Sequence, residues 1–163
     1  MDKIQSSIVK ILTENARYTN AQISAMLGIT EQEVADNVAE LEKMGVIVKY
    51  SAIINTEVTS ARAVQALIEV KVAPKKLKGF DAYAEEIYKF SEVQSLYLMS
   101  GVFDLAIFIE GESITDIAKF VAEKLSVIDG INSVQTHFIL KKYKIEGQIT
   151  RPTEESNRQI IGA

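Results

Sequence analysis

The chain has 163 residues, 47% hydrophobic and 25% charged, with a net charge of -4 and no cysteine. That size accommodates one larger domain or two small ones of ordinary globular composition, and the missing thiols exclude disulfides and thiolate metal sites, which suits a cytoplasmic protein. No apolar run approaches a membrane span, the N-terminus lacks a charged-then-apolar signal pattern, and the negative balance supplies no global attraction to nucleic acid.

Ile4, Ile8, Ile11 and Leu12 follow the i, i+4, i+7, i+8 spacing of an amphipathic helix ending near Asn15-Ala16. Thr19-Asn20-Ala21-Gln22 is a capping box, its hydroxyl and amide closing the first turn of a short helix. The apolar face of that helix is Ile23, Met26 and Leu27, and Gly28 stops it. Thr30-Glu31-Gln32-Glu33 is a second capping box, opening a helix with Val34, Val38 and Leu41 on one face that runs to Met44-Gly45. Two capped helices joined at a glycine behind a supporting helix are a helix-turn-helix arrangement. The β-rich run VIVKYSAII at 46–54 stands where a wing would sit. Residues 1–55 are therefore read as a winged helix-turn-helix DNA-binding domain, and the aperiodic, polar residues 56–62 as a linker.

Beyond it, Val64, Ala66, Ile68, Val70 and Val72 alternate with Gln65, Glu69 and Lys71 as a half-buried strand, ended by Pro74. Phe80, Tyr83, Ala84, Ile87 and Tyr88 give a helix whose aromatic residues read as core. Residues 93–110 read as two strands joined by a tight Ser100-Gly101 bend. Leu105, Ile107 and Ile109 oppose Ala106 and Phe108, while Val93, Tyr97 and Met99 oppose Leu96 and Leu98. Ile114, Ile117, Ala118, Val121 and Leu125 make another helix, capped by Ser113, and Val134, Thr136, Phe138 and Leu140 a last strand after Asp129-Gly130. The order β-α-β-β-α-β over 63–144 is the ferredoxin-like split βαβ, so the fold class is α+β. A hairpin apolar on both faces needs cover on both, and one layer of helices covers only one. The other face asks for the sheet of a second copy. Residues 145–163, polar and carrying Pro152 and Ile160-Ile161, read as a tail that docks on this domain or on a neighbouring subunit.

Both halves together resemble the leucine-responsive regulatory protein/AsnC (Lrp/AsnC) family of transcription regulators, over roughly residues 2–144. Ala16-Arg17-Tyr18-Thr19 is similar to the family's Gly-Arg-x-Ser/Thr, and Leu41-Glu42-Lys43-Met44-Gly45-Val46-Ile47 to its Leu-Glu-x-x-Gly-Val-Ile. Ser100-Gly101-Val102-Phe103-Asp104-Leu105 resembles its Gly-x-x-Asp loop, and Asp129-Gly130-Ile131 its Pro-Gly-Val. The resemblance implies a regulator that dimerises through its ferredoxin-like (RAM) sheets and assembles into octamers or larger rings. It also implies a small effector, usually an amino acid, bound between subunits near the Gly-x-x-Asp loop, and no cofactor or metal. The effector set is Met99, Ser100, Gly101, Val102, Phe103, Asp104, Ser133, Gln135 and Thr136. In it Asp104 would take an ammonium, and backbone N–H groups at Gly101 a carboxylate. The DNA-contacting set is Arg17, Thr19, Thr30, Gln32, Asp36, Asn37, Lys43 and Lys49. Gln32 and Asn37 suit base edges, and Arg17, Lys43 and Lys49, with Lys10, suit phosphates.

The chain departs from the family pattern in its charge. Asn37 stands where an Arg is common and Gln5 where Asp is, and the helix from Thr30 to Met44 has five acids against Lys43. Residues 1–60 hold five Lys/Arg and eight Asp/Glu. A metabolite-sensing oligomer whose helix-turn-helix contacts protein is the alternative that this acidity permits. Other features have plain structural readings. Asp104 also suits a backbone hydrogen bond within the bend, Gly101 a positive φ, and the single His137 a satisfied structural role. Lys75, Lys76 and Lys78 read as surface charge, and Glu85-Glu86 and Glu154-Glu155 as solvated acids. With no cysteine, one histidine and no glycine-rich nucleotide fingerprint, nothing in the residues points to an enzyme.

Overall fold

A computed structural model describes residues 1–56, 59, 63–73 and 79–150. The chain divides into two compact units, Met1–Ile54 and Asn55–Ala163. In the first, α1 (Lys3–Glu14), α2 (Asn20–Leu27) and α3 (Glu31–Lys43) each open on a capping box, at Asp2/Gln5, Thr19/Gln22 and Thr30/Glu33. The last two are as expected, whereas the Asp2 box adds one. Gly28 ends α2 in the left-handed region at φ +68, as its place in the sequence suggests. Ile8, Ile23, Val34 and Leu41, drawn from all three helices, are fully buried against one another, with Leu12, Leu27 and Val38 around them. Removing each such side chain from water contributes about 1.5–3 kcal/mol, which is what holds three short helices together.

The wing differs from expectation. Residues 46–54 form no strand, and Val48, Tyr50, Ile53 and Ile54 are exposed. β propensity alone does not make a strand, and no ladder partner faces this run within its unit.

The second unit is a four-stranded antiparallel sheet of order β2-β3-β1-β4, from β1 (Val64–Val72), β2 (Val93–Leu98), β3 (Leu105–Gly111) and β4 (Ile131–Phe138). Helices α4 (Phe80–Ile87) and α5 (Ile114–Lys119), the latter continuing as a π-helical segment Phe120–Leu125, pack on one face. There the rows Ile109–Ala66, Ile107–Ile68 and Leu105–Val70 are buried under Tyr83, Ile87, Ile117, Phe120 and Leu125. The strand order and the single helical layer are those of the ferredoxin-like fold.

Several local expectations are corrected. The β2–β3 register shifts between Val93 and Ser95, so Val93 pairs with Ile109 and packs on the helix side rather than beside Tyr97. A bulge reverses strict alternation at one residue. The connection between these strands is the six-residue loop 99–104, not a two-residue bend. Gly101 is not among the glycines with positive φ, and a Cβ there would meet nothing within 4 Å. Of the three aromatic residues expected in the core, Tyr83 is buried, whereas Phe80 and Tyr88 are exposed. β4 stops at Phe138, leaving Leu140 outside it. The start of the expected tail is instead a small hairpin, β5 (Lys144–Ile145) and β6 (Gln148–Ile149), turning through positive φ at Glu146 and Gly147. Pro74, Lys75, Lys76, Lys78 and residues 151–163, with Pro152, Glu154, Glu155, Ile160 and Ile161, lie outside the described residues.

Candidate functional site

The residues singled out for DNA lie on α3 and in the segments flanking α2 and α3, and the side chains of Thr19, Thr30, Gln32, Asp36 and Asn37 are already engaged. The Thr30 hydroxyl accepts the Glu33 N–H and donates to the Glu33 carboxylate, while the Thr30 N–H donates to the same carboxylate at 2.8 Å. Those bonds, the backbone one foremost, hold the Glu33 carboxyl below its usual range. Thr19 is held the same way by Gln22. Gln32 Nε2 donates to Asp36 Oδ1 at 2.9 Å, and Asn37 Nδ2 to the Glu33 carbonyl at 2.7 Å. Gln32 and Asp36, four residues apart, stand exposed on the outer side of α3, whereas Asn37, three residues from Val34 and four from Leu41, is half-buried at the edge of the buried stripe. Arg17 lies in the turn before α2, its N–H on Asn15 Oδ1, Lys43 ends α3, and Lys49 is exposed beyond it.

Two further residues, not anticipated, set the position of α3. Gln5, 6% exposed, caps α1 through its Oε1 and donates from Nε2 to Glu40 Oε2 at 3.0 Å. The Asp-x-x-Gln spacing at 2–5 is a capping signal that could have exposed its first role, though not the second. Tyr50 donates its hydroxyl to Glu42 Oε1 at 2.9 Å, tying residues after α3 back to the helix. Burial first, then the Glu42 carboxylate, push the Tyr50 hydroxyl up from its usual value. Four of the five acids of α3 thus have hydrogen-bond partners inside the unit. The exposed ridge is a row of short amide and carboxylate groups on a fixed helix, able to reach base edges if the weak intrahelical bonds are exchanged.

In the second unit, the loop 99–104 sits at the end of the sheet where β1 finishes and β4 starts. Asp104 is its anchor. Met99 N–H donates to the Asp104 carbonyl at 2.8 Å, Asp104 N–H to the Val70 carbonyl at 2.9 Å, and Val72 N–H to Asp104 Oδ2 at 2.9 Å. The carboxylate thereby supports β1 at the register shift between Lys71 and Val72. Ser100, Gly101 and Val102 are exposed, Met99 partly so, and Phe103 is half-buried. Ser133 pairs with Lys71 and Gln135 with Glu69, on the face away from the helices, whereas Thr136 pairs with Ile68 on the helix side. The structure brings Ser133 to the same sheet end as the loop and separates Thr136 from both partners.

The face away from the helices carries Leu67, Phe108, Ala106 and Tyr97 at its centre, with Tyr97 edge-on to Phe108 at 6.0 Å. Polar pairs flank them: Gln65 with Glu110 at 2.6 Å, and His137 Nε2 with Glu69 Oε1 at 3.4 Å. A separate cleft of about 340 Å³ lies between α4 and β2, bordered by Phe80, Asp81, Tyr88, Leu96 and Leu98, and includes no residue of the expected effector set. Among the described residues no cluster of histidine, cysteine or carboxylate side chains could hold a metal ion. No helix of the described residues is long and apolar enough to cross a membrane.

Comparison with known proteins gives matches on both units. Residues 1–48 match a winged helix-turn-helix DNA-binding family, and residues 65–149 the Lrp/AsnC ligand binding domain. The chain is 46% identical, over 96% of its length and 95% of the relative's, to an uncharacterised helix-turn-helix-type transcriptional regulator, YugG, of Bacillus subtilis. Among solved structures, the leucine response regulatory protein LrpA of Mycobacterium tuberculosis superposes with a TM-score of 0.75 at 20% identity, covering 93% of this chain and all of that one. The transcriptional regulator NMB0573 of Neisseria meningitidis, solved as an L-Met complex, does so with a TM-score of 0.68 at 25% identity, covering 96% of this chain and 99% of that one.

Proposed function

This chain belongs to the Lrp/AsnC family, as a DNA-binding transcriptional regulator with a ligand-binding domain, and on that premise we propose that a small amino acid controls its assembly and its hold on DNA. The observation that carries the reading is the sheet face left open by the helices, with an apolar centre and the loop 99–104 at its end. Two copies meeting through these faces bury Leu67, Phe108, Ala106 and Tyr97, and place two such loops at the junction. The effector's ammonium is recognised by the remaining acceptor capacity of Asp104, and its carboxylate by backbone N–H groups at Ser100 and Gly101, both exposed in the loop. Ser133 and Gln135 complete the polar lining. The methionine complex of the Neisseria relative supports the ligand class. On the DNA side, α3 enters the major groove with Gln32, Asp36 and Asn37 toward base edges, while Thr19, Thr30, Arg17, Lys43 and Lys49 face the backbone.

The acidity of α3 favours one other reading, in which this ridge contacts a protein instead. Binding of the purified chain to its own promoter region, at two salt concentrations and with or without mixed amino acids, separates the two. Saturable, sequence-selective binding that weakens with salt and shifts with amino acids is expected. Absence of selective binding under all four conditions would overturn the DNA reading and leave the protein one.

A further inference from the structure

The segment after the sheet carries a charge that nothing above uses. From Phe138 to Thr150 the chain has Lys141, Lys142 and Lys144 against the single acid Glu146, in a protein of net charge -4. Among the described residues none of these lysines forms an ion pair with a carboxylate. Lys141 Nζ lies 5.3 Å from the centre of the Tyr143 ring, which is 70% exposed, and Leu140 beside them is 95% exposed. The backbone beneath is held firmly. Thr150, only 5% exposed, donates its N–H to the Tyr143 carbonyl and its hydroxyl to that of Lys142. Lys144 is fixed opposite Ile149 in the β5–β6 hairpin. The lysines therefore stand on an ordered backbone, Lys141 and Lys144 exposed and Lys142 half-buried.

We propose that Lys141, Lys142 and Lys144, with Tyr143 among them, form a second DNA-contacting surface that binds backbone phosphates. This rests on the DNA-binding reading above. Residues 1–60, with five Lys/Arg against eight Asp/Glu, undersupply the cations that a duplex requires, and this segment supplies three. The occupant is duplex DNA because a duplex offers a continuous row of phosphates to a row of lysines. The Tyr143 hydroxyl adds a donor of the kind that phosphate oxygens accept.

The test compares the full-length wild type with a Lys141→Gln/Lys142→Gln/Lys144→Gln variant on one promoter fragment over a salt series. Each lysine–phosphate contact adds about 0.9 to the slope of log K against log salt, so the variant's slope should fall by about 2 to 3 for each protomer that engages the DNA. Its preference for the promoter over unrelated DNA should survive, because phosphate contacts carry no sequence information. An unchanged slope overturns the proposal. So does an affinity loss that follows a changed sedimentation coefficient, which would assign the lysines to a protein contact. A wild type that binds no DNA defeats the parent reading, and the wild-type arm alone reveals it.

Discussion

The two faces of the β2-β3-β1-β4 sheet are built from the same strands, residue by alternate residue, and have opposite designs. The helix side is continuous hydrocarbon: Ala66, Ile68 and Val70 beside Leu105, Ile107 and Ile109, all at 2% exposure or less. Its polar contacts lie at the rim, where Lys124 meets Glu92 and also stands 5.6 Å from the Phe90 ring. The other side has a small apolar centre with polar pairs around it. That layout suits the assembly face proposed above, which would have to survive in water and still close on a partner, whereas the first face packs the core. Substitution at neighbouring positions of β3 should expose the difference. Ile107→Ala is expected to cost about 2–5 kcal/mol in denaturant unfolding, with assembly unaffected in whatever fraction stays folded. Phe108→Ser should cost far less of that stability and shift sedimentation toward monomer. Equal losses of stability with unchanged sedimentation would remove the open face from assembly.

Asp104 stands at the end of the sheet, where the two designs meet, and its two readings separate by substitution. Asp104→Ala leaves the nearly buried Val72 N–H without its acceptor, at a cost of about 1–3 kcal/mol. Asp104→Asn keeps an oxygen for that bond and removes the charge. It should retain most of the stability while losing the response to amino acids. If Asp104→Asn responds normally, the carboxylate serves only the strand.

How much of this was legible depends on the range of the interactions. Thr19, Thr30 and Gly28 announced their helix ends because caps act over three or four residues. The alternation of β1 announced its two faces in the same way. Val93 misled, because a single bulge residue carries no sequence mark yet moves a side chain to the other face. Residues 46–54 misled because strand propensity is read from one segment and a ladder needs two. The bonds from Asp104 to Val72 and from Gln5 to Glu40 span 32 and 35 residues, a separation at which no local pattern survives. Gly101 was expected to serve a left-handed turn. With ordinary φ and open space around it, nothing inside the chain calls for glycine there.

The smallest expected effect lies at the rim of the helix side. Hydrogen bonding from the Lys124 ammonium, foremost, holds the Glu92 carboxyl below its usual range. A carboxylate depressed in the folded state stabilises above its unfolded pKa, and that contribution is lost as pH falls through the folded value. Both partners are partly exposed, so the pair contributes at most about 1 kcal/mol. Glu92→Gln should therefore lower stability slightly near neutral pH, and less so in high salt. The gap to wild type should close on acidification, because protonated Glu92 then matches glutamine in charge. The substitution alters neither Phe90 nor Phe120, whose rings pack edge-on at 5.5 Å beside Lys124. A gap that persists at low pH and high salt would mean that Glu92 acts through packing, and that the helix side draws nothing from charge even at its edge.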